Sequence, residues 1–114
     1  MSAVVIWHNP RCSKSRAALQ LLRDNGYEVE VVEYLRHPPS RQTLARLYAA
    51  AGMEPAQGLR ISGTDAVARG LTKASPEEVL DAMAADPILI ERPLVETDKG
   101  VRLGRPTERL HEIM

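Results

Sequence analysis

Phenylalanine is absent from this 114-residue chain, and tryptophan and cysteine occur once each. A core must therefore be assembled from Leu, Val, Ile and Ala; hydrophobic residues make up 44% of the chain, so material for one is present. A single cysteine excludes an internal disulfide, and a reducing, cytoplasmic home is the natural expectation. Neither sign of charge is in excess, with 15 basic and 15 acidic residues. That balance argues against a nucleic-acid partner, whose phosphates call for a basic surplus. No apolar run approaches the roughly 18 residues of a membrane span, and no charged-then-apolar leader suggests export. The length fits one domain over residues 1–114, with a core but no room for a second.

What is present reads as alternating elements. "AVVIW" (3–7) is a short unbroken apolar run, as in a strand buried on both faces. After the turn "NPRCS", Ala18, Leu21 and Leu22 recur at helical spacing and Gly26 supplies a stop. "YEVEVVEY" (27–34) alternates around Val29 and Val31 as a second strand would, which makes a βαβ unit. Pro38 and Pro39 break the chain, and Ser40 caps a helix carrying Leu44, Leu47, Tyr48 and Ala51, stopped near Gly52. Residues 53–71 suggest two short helical turns around Gly63. "SPEE" (75–78) opens another helix, with Ser75 as cap, Pro76 at the first position and Glu78 reaching back. "PLVET" and "VRLG" flank "DKG", which predicts a hairpin with a three-residue loop and Gly100 in the left-handed position. "RPTERLHEIM" predicts a closing helix with Leu110, Ile113 and Met114 on one side. The order β-α-β, helical block, β-β-α implies an α/β fold: a mixed four-stranded sheet with a helical insertion over about residues 40–90.

The one thiol, Cys12, sits in "WHNPRCSKSR" among Arg11, Lys14 and Arg16, with His8 four residues upstream. A lone cysteine is commonly just a small buried hydrophobe. This one falls where a strand turns into a helix, so free N–H groups and the positive end of the helix dipole face its sulfur. Such a setting lowers a thiol pKa from about 8.5, and the same donors suit an anionic substrate. The local features favour a reactive thiolate. His8 could orient that thiolate or merely cap the strand's exit.

Position 15 is Ser, so Cys12 has no C-x-x-C partner, and position 18 is Ala, so the C-x-x-x-x-x-R loop of tyrosine phosphatases is absent. A single-thiol redox enzyme takes its second thiol from outside, as from glutathione or a small dithiol protein. His8, His37 and His111 lack partners at ligand spacing, so no metal and no bound cofactor is implied.

"HNPRCSKSR", "YLRHPPSRQTL", "GLRIS" and "DPILIERPLVETDKGVRLGRP", in this order and spacing, resemble the glutaredoxin-coupled arsenate reductase family, in particular its short bacterial members. The resemblance runs from Val4 to about Ile113. It implies a thioredoxin-like fold with a cis proline at Pro93. It implies that Cys12 attacks arsenate, that His8 favours the thiolate, and that Arg60, Arg92 and Arg105 hold the oxyanion. Glutathione would then act as co-substrate and glutaredoxin as electron-donating partner. Arg92 and Arg105 also share an internal feature, since each directly precedes a proline beside the hairpin. The loop reads "RCSKS" where plasmid-borne reductases read closer to "ACGTS", which puts Ser13 and Lys14 at two pocket-shaping places. Two other readings stay open beside arsenate reduction: a glutathione-linked thiol oxidoreductase with another substrate, and a non-enzymatic transcriptional regulator resembling the Spx branch.

Overall fold

The computed structural model describes residues 3–114. It resolves into two compact units: the chain up to His37 together with Arg92–Met114, and Pro38–Glu91 between them. The second unit corresponds to the helical insertion.

The first unit holds strand β1 (Val4–His8), helix α1 (Ser13–Asp24) and strand β2 (Val29–Glu33), followed after the insertion by β3 (Leu94–Thr97) and β4 (Gly100–Leu103). These form a four-stranded mixed sheet in the order β2-β1-β3-β4, parallel between β1 and β2 and antiparallel elsewhere. Strand side chains alternate between faces. Val4, Ile6 and His8 therefore share the face of β1 that α1 covers. Helix α1 presents Ser15, Ala18 and Leu22 as its buried positions, spaced for one helical stripe. Val4, Ile6, Ala18, Leu22, Val95, Leu110 and Ile113 make the aliphatic core between them. His8 and Ser15 are the polar end of that seam.

Two sequence expectations are corrected here. Thr97 pairs with Gly100, so the hairpin loop is the two residues Asp98 and Lys99, and Gly100 (φ +143°) opens β4. Thr97 Oγ1 tightens the loop by accepting the Lys99 N–H at 3.0 Å, while its own hydroxyl donates to the Ile113 carbonyl at 2.6 Å. The closing segment is a 3₁₀ helix, Thr107–Ile113, rather than an α-helix. Its buried residues, Leu110 and Ile113, stand three apart, the repeat at which a 3₁₀ helix brings side chains back to one face.

The second unit contains helix α2 (Arg41–Ala51), helix α3 (Pro76–Ala85) and short 3₁₀ turns at Pro55–Gly58, Leu71–Lys73 and Pro87–Leu89. The Ser40 hydroxyl accepts the Thr43 N–H, and Gly52 ends α2 in the left-handed region at φ +68°. The Ser75–Glu78 capping box forms as the "SPEE" pattern predicts. Leu44, Leu47, Tyr48, Val79 and Met83 are buried, and the Tyr48 ring lies over Gly58. No helix among the described residues is long and apolar enough to cross a membrane.

Candidate active site

The register gathers one end of the sheet around the loop that follows β1. Trp7 pairs with Leu94, and Leu94 with Leu103. Arg92, just before β3, and Arg105, just after β4, are thereby carried to the end where β1 delivers Asn9–Cys12. The peptide bonds Arg92–Pro93 and Arg105–Pro106 are both cis.

The loop is built by local hydrogen bonds. The Asn9 side-chain oxygen accepts the Arg11 N–H at 2.9 Å, and the Asn9 carbonyl accepts the Cys12 N–H at 3.0 Å, a turn type for which Asn is suited. Cys12 then serves as the N-cap residue of α1 with extended backbone angles (φ −95°, ψ 122°). Its sulfur makes no capping hydrogen bond but lies at the helix end where the first-turn N–H groups lack intrahelical partners. From across the unit, Arg105 Nη1 reaches to 3.9 Å from Cys12 Sγ and also donates to the Arg92 carbonyl at 3.0 Å.

Cys12 is only 8% exposed. Burial pushes its thiol pKa up, yet the net position is below the ordinary value. The opposing influences are the Ser15 N–H, the Arg92 charge, the Lys14 N–H and a hydrogen bond from Arg105. The cations that act on the thiol thus come from the far end of the chain. The local cluster is disposed otherwise: Arg11 and Lys14 point to solvent, and Arg16 donates to the Pro10 carbonyl at 2.9 Å.

His8 is buried and makes no hydrogen bond to Cys12; its Nδ1 lies 2.6 Å from Ser15 Oγ. Burial lowers its pKa, Glu33 opposes that shift, and Arg23 and Arg16 add to it. The imidazole is therefore neutral at pH 7.

Residues 7–113 match the ArsC family. The chain belongs to the ArsC family. It is 47% identical to an arsenate reductase of Rhizobium meliloti (strain 1021), over 97% of this chain and 81% of that protein. It is 44% identical to the protein called "Uncharacterized protein YfgD" of Escherichia coli (strain K12), over 97% of this chain and 96% of that one. A solved structure of an arsenate reductase from Vibrio cholerae superposes with a TM-score of 0.92 at 40% identity, covering 98% of each chain. The α/β architecture with its mixed sheet is thus the thioredoxin-like fold of the ArsC family.

Of the five residues singled out from the sequence of this ArsC-family chain, the first unit brings together Cys12, His8, Arg92 and Arg105. Arg60 belongs to the second unit, where its Nε donates to the Ser62 carbonyl at 3.0 Å and its N–H to the Leu89 carbonyl at 2.8 Å. It is not among the groups that the first unit itself gathers around the thiol. Two residues escaped the sequence reading. Asn9 shapes the turn, and the "NP" pair was its signal. Ser15, fully buried, joins His8 to the helix. Its signal was positional: a polar residue on the same stripe as Ala18 and Leu22, as His8 is on the same strand face as Val4 and Ile6.

Proposed function

We propose that this ArsC-family protein reduces arsenate to arsenite, with the Cys12 thiolate as nucleophile. The observation that carries the proposal is the convergence of Arg92, Arg105 and the first-turn amides on one sulfur whose thiol is acidified. Guanidinium forks and amide N–H groups are donors matched to a tetrahedral oxyanion. The thiolate bonds to arsenic and a hydroxyl leaves as water, giving a cysteine–arsenic(V) adduct. Glutathione adds to that arsenic, losing a second water. The glutaredoxin thiolate then attacks the glutathione sulfur, so the pair of electrons passes to arsenic as the mixed disulfide departs. Water releases arsenite and regenerates Cys12. Overall, arsenate and two thiols become arsenite, one disulfide and water. The names of the relatives support the substrate; the electron donors rest on the resemblance stated above. In this reading Arg60 contributes to holding the oxyanion, and the protein works in the cytoplasm without a bound cofactor.

The test supplies arsenate, glutathione, glutaredoxin and an NADPH-recycling reductase. Arsenate-dependent NADPH loss is expected, and its absence in Cys12→Ser. A second reading, a glutathione-linked thiol oxidoreductase with another substrate, draws on the same acidified Cys12 thiol and on Ser15 standing where a C-x-x-C partner would be. Rapid reaction of Cys12 with glutathione disulfide, with no arsenate-dependent turnover, selects that reading.

A further inference from the structure

The ArsC-type resemblance assigns His8 to favouring the thiolate, but the geometry gives it no direct route. Its imidazole touches Ser15, and a neutral ring brings no charge to bear on a sulfur. Ser15 is fully buried, seven residues from His8, and its Oγ meets two groups of the β1 end: His8 Nδ1 at 2.6 Å and the Asn9 N–H at 3.0 Å. Because Oγ accepts from Asn9, the arrangement that satisfies all three groups has the Ser15 hydroxyl donating to Nδ1, with the imidazole proton on Nε2. The Ser15 N–H, on the same residue at the N3 position of α1, is the amide that acts most on the Cys12 thiol, although the sulfur accepts no capping hydrogen bond.

We propose that Ser15 is the positioning residue of this site: its hydroxyl ties His8 and Asn9 to the first turn of α1, and so aims the helix amides at Cys12. His8 thus acts on the thiol only by way of Ser15. Without the hydroxyl, His8 Nδ1 and the Asn9 N–H are left buried and unpaired, and the first turn loses its anchor to the strand. The other charged groups nearby are Glu33 of β2 and Arg23 and Arg16 of α1 around His8, and Arg92 and Arg105 around Cys12. None of them bridges the two residues through Ser15. The inference rests on the thiolate part of the function proposed above, not on the identity of the substrate.

The experiment is a double-mutant cycle read by the rate of iodoacetamide alkylation against pH, for wild type, His8→Gln, Ser15→Ala and the pair. Each single variant is expected to raise the alkylation midpoint by about half to one pH unit, and the pair by no more than the larger single effect. Ser15→Thr, which keeps the oxygen, is expected to restore most of the shift. Additive effects, or a midpoint indifferent to Ser15→Ala, overturn the proposal. A wild-type midpoint at the ordinary thiol value takes down the thiolate reading as well; a low wild-type midpoint that ignores Ser15→Ala takes down this inference alone. Should Ser15→Ala not fold, nitrogen NMR of wild type and His8→Gln decides the matter. A hydrogen-bonded acceptor Nδ1, and Ser15 and Asn9 amide resonances that move in His8→Gln, support the link; a solvent-like Nδ1 or unmoved amides overturn it.

Discussion

Arg105 Nη1 stands 3.9 Å from the sulfur of Cys12 although 93 residues separate them in the chain. The same nitrogen donates to the carbonyl of Arg92, so the guanidinium is held in place before any anion arrives. Pre-organised donors of this kind avoid reorganisation when charge develops. The two arginines border the strands that extend the sheet from β1, and the sheet register sets their distance from the loop.

Replacing either arginine tests the source of the thiol's acidity. Arg92→Ala and Arg105→Ala are each expected to raise the alkylation midpoint of Cys12 by about one pH unit, equivalent to about 1.4 kcal/mol of lost thiolate stabilisation. Arg11→Ala is expected to leave it where it is, since that side chain is exposed and is not among the groups acting on the thiol. A larger effect from Arg11 than from Arg105 would reverse the assignment.

Stability should depend on pH through both Cys12 and His8. The Cys12 thiol is more acidic folded than unfolded, so the unfolded chain binds more protons between the two values. Folding stability from this group is complete above the unfolded thiol value of about 8.5 and is lost as pH falls toward the lowered folded value. The His8 pKa is also lowered from 6.5. Its contribution is complete above that value and is lost as pH falls toward the folded one. Urea midpoints measured from pH 5 to 9 are expected to rise with pH. Cys12→Ser should flatten the alkaline part of the rise, and His8→Gln the acid part.

Arg60 offers a different kind of test. It is not among the groups that shift the Cys12 pKa. Arg60→Ala is expected to cut arsenate-dependent turnover at least tenfold while leaving the iodoacetamide midpoint unchanged. Equal turnover in the variant would remove Arg60 from the oxyanion site.

The second unit has its own weak points, measurable by urea denaturation. A Cβ at Gly58 would lie 2.4 Å from the Tyr48 ring, so Gly58→Ala is expected to destabilise by about 1–3 kcal/mol. Ser75→Ala removes the α3 cap and is expected to cost about 1 kcal/mol. Neither substitution should move the alkylation midpoint of Cys12.

Local rules, read residue by residue, sufficed for much of this molecule. The caps at Ser40 and Ser75, the stops at Gly26 and Gly52 and the apolar run of β1 each depend on neighbours within a few residues. Cys12 at a strand-to-helix turn belongs to the same class, because the exposed amides of a first turn follow from where the helix begins. The hairpin loop was misjudged by one residue because its length is decided by strand pairing, which sets Thr97 opposite Gly100. The closing segment showed a helical stripe, but a stripe of two or three residues does not distinguish a 3₁₀ from an α-helical repeat.

The sequence by itself determined the order of the elements, the reactive turn and the family whose pattern it carries. Only the tertiary structure decided which cations act on the thiol. Proximity along the chain suggested Arg11, Lys14 and Arg16, but an exposed side chain is screened by water and can turn away from its neighbour. Arg92 and Arg105 reach Cys12 because β3 pairs with β1 and β4 with β3, a long-range choice made by burying Ile6 and Val95 together on one face and Trp7 and Leu94 on the other. The same packing turned His8 toward Ser15, since strand and helix faces meet only once the core has formed.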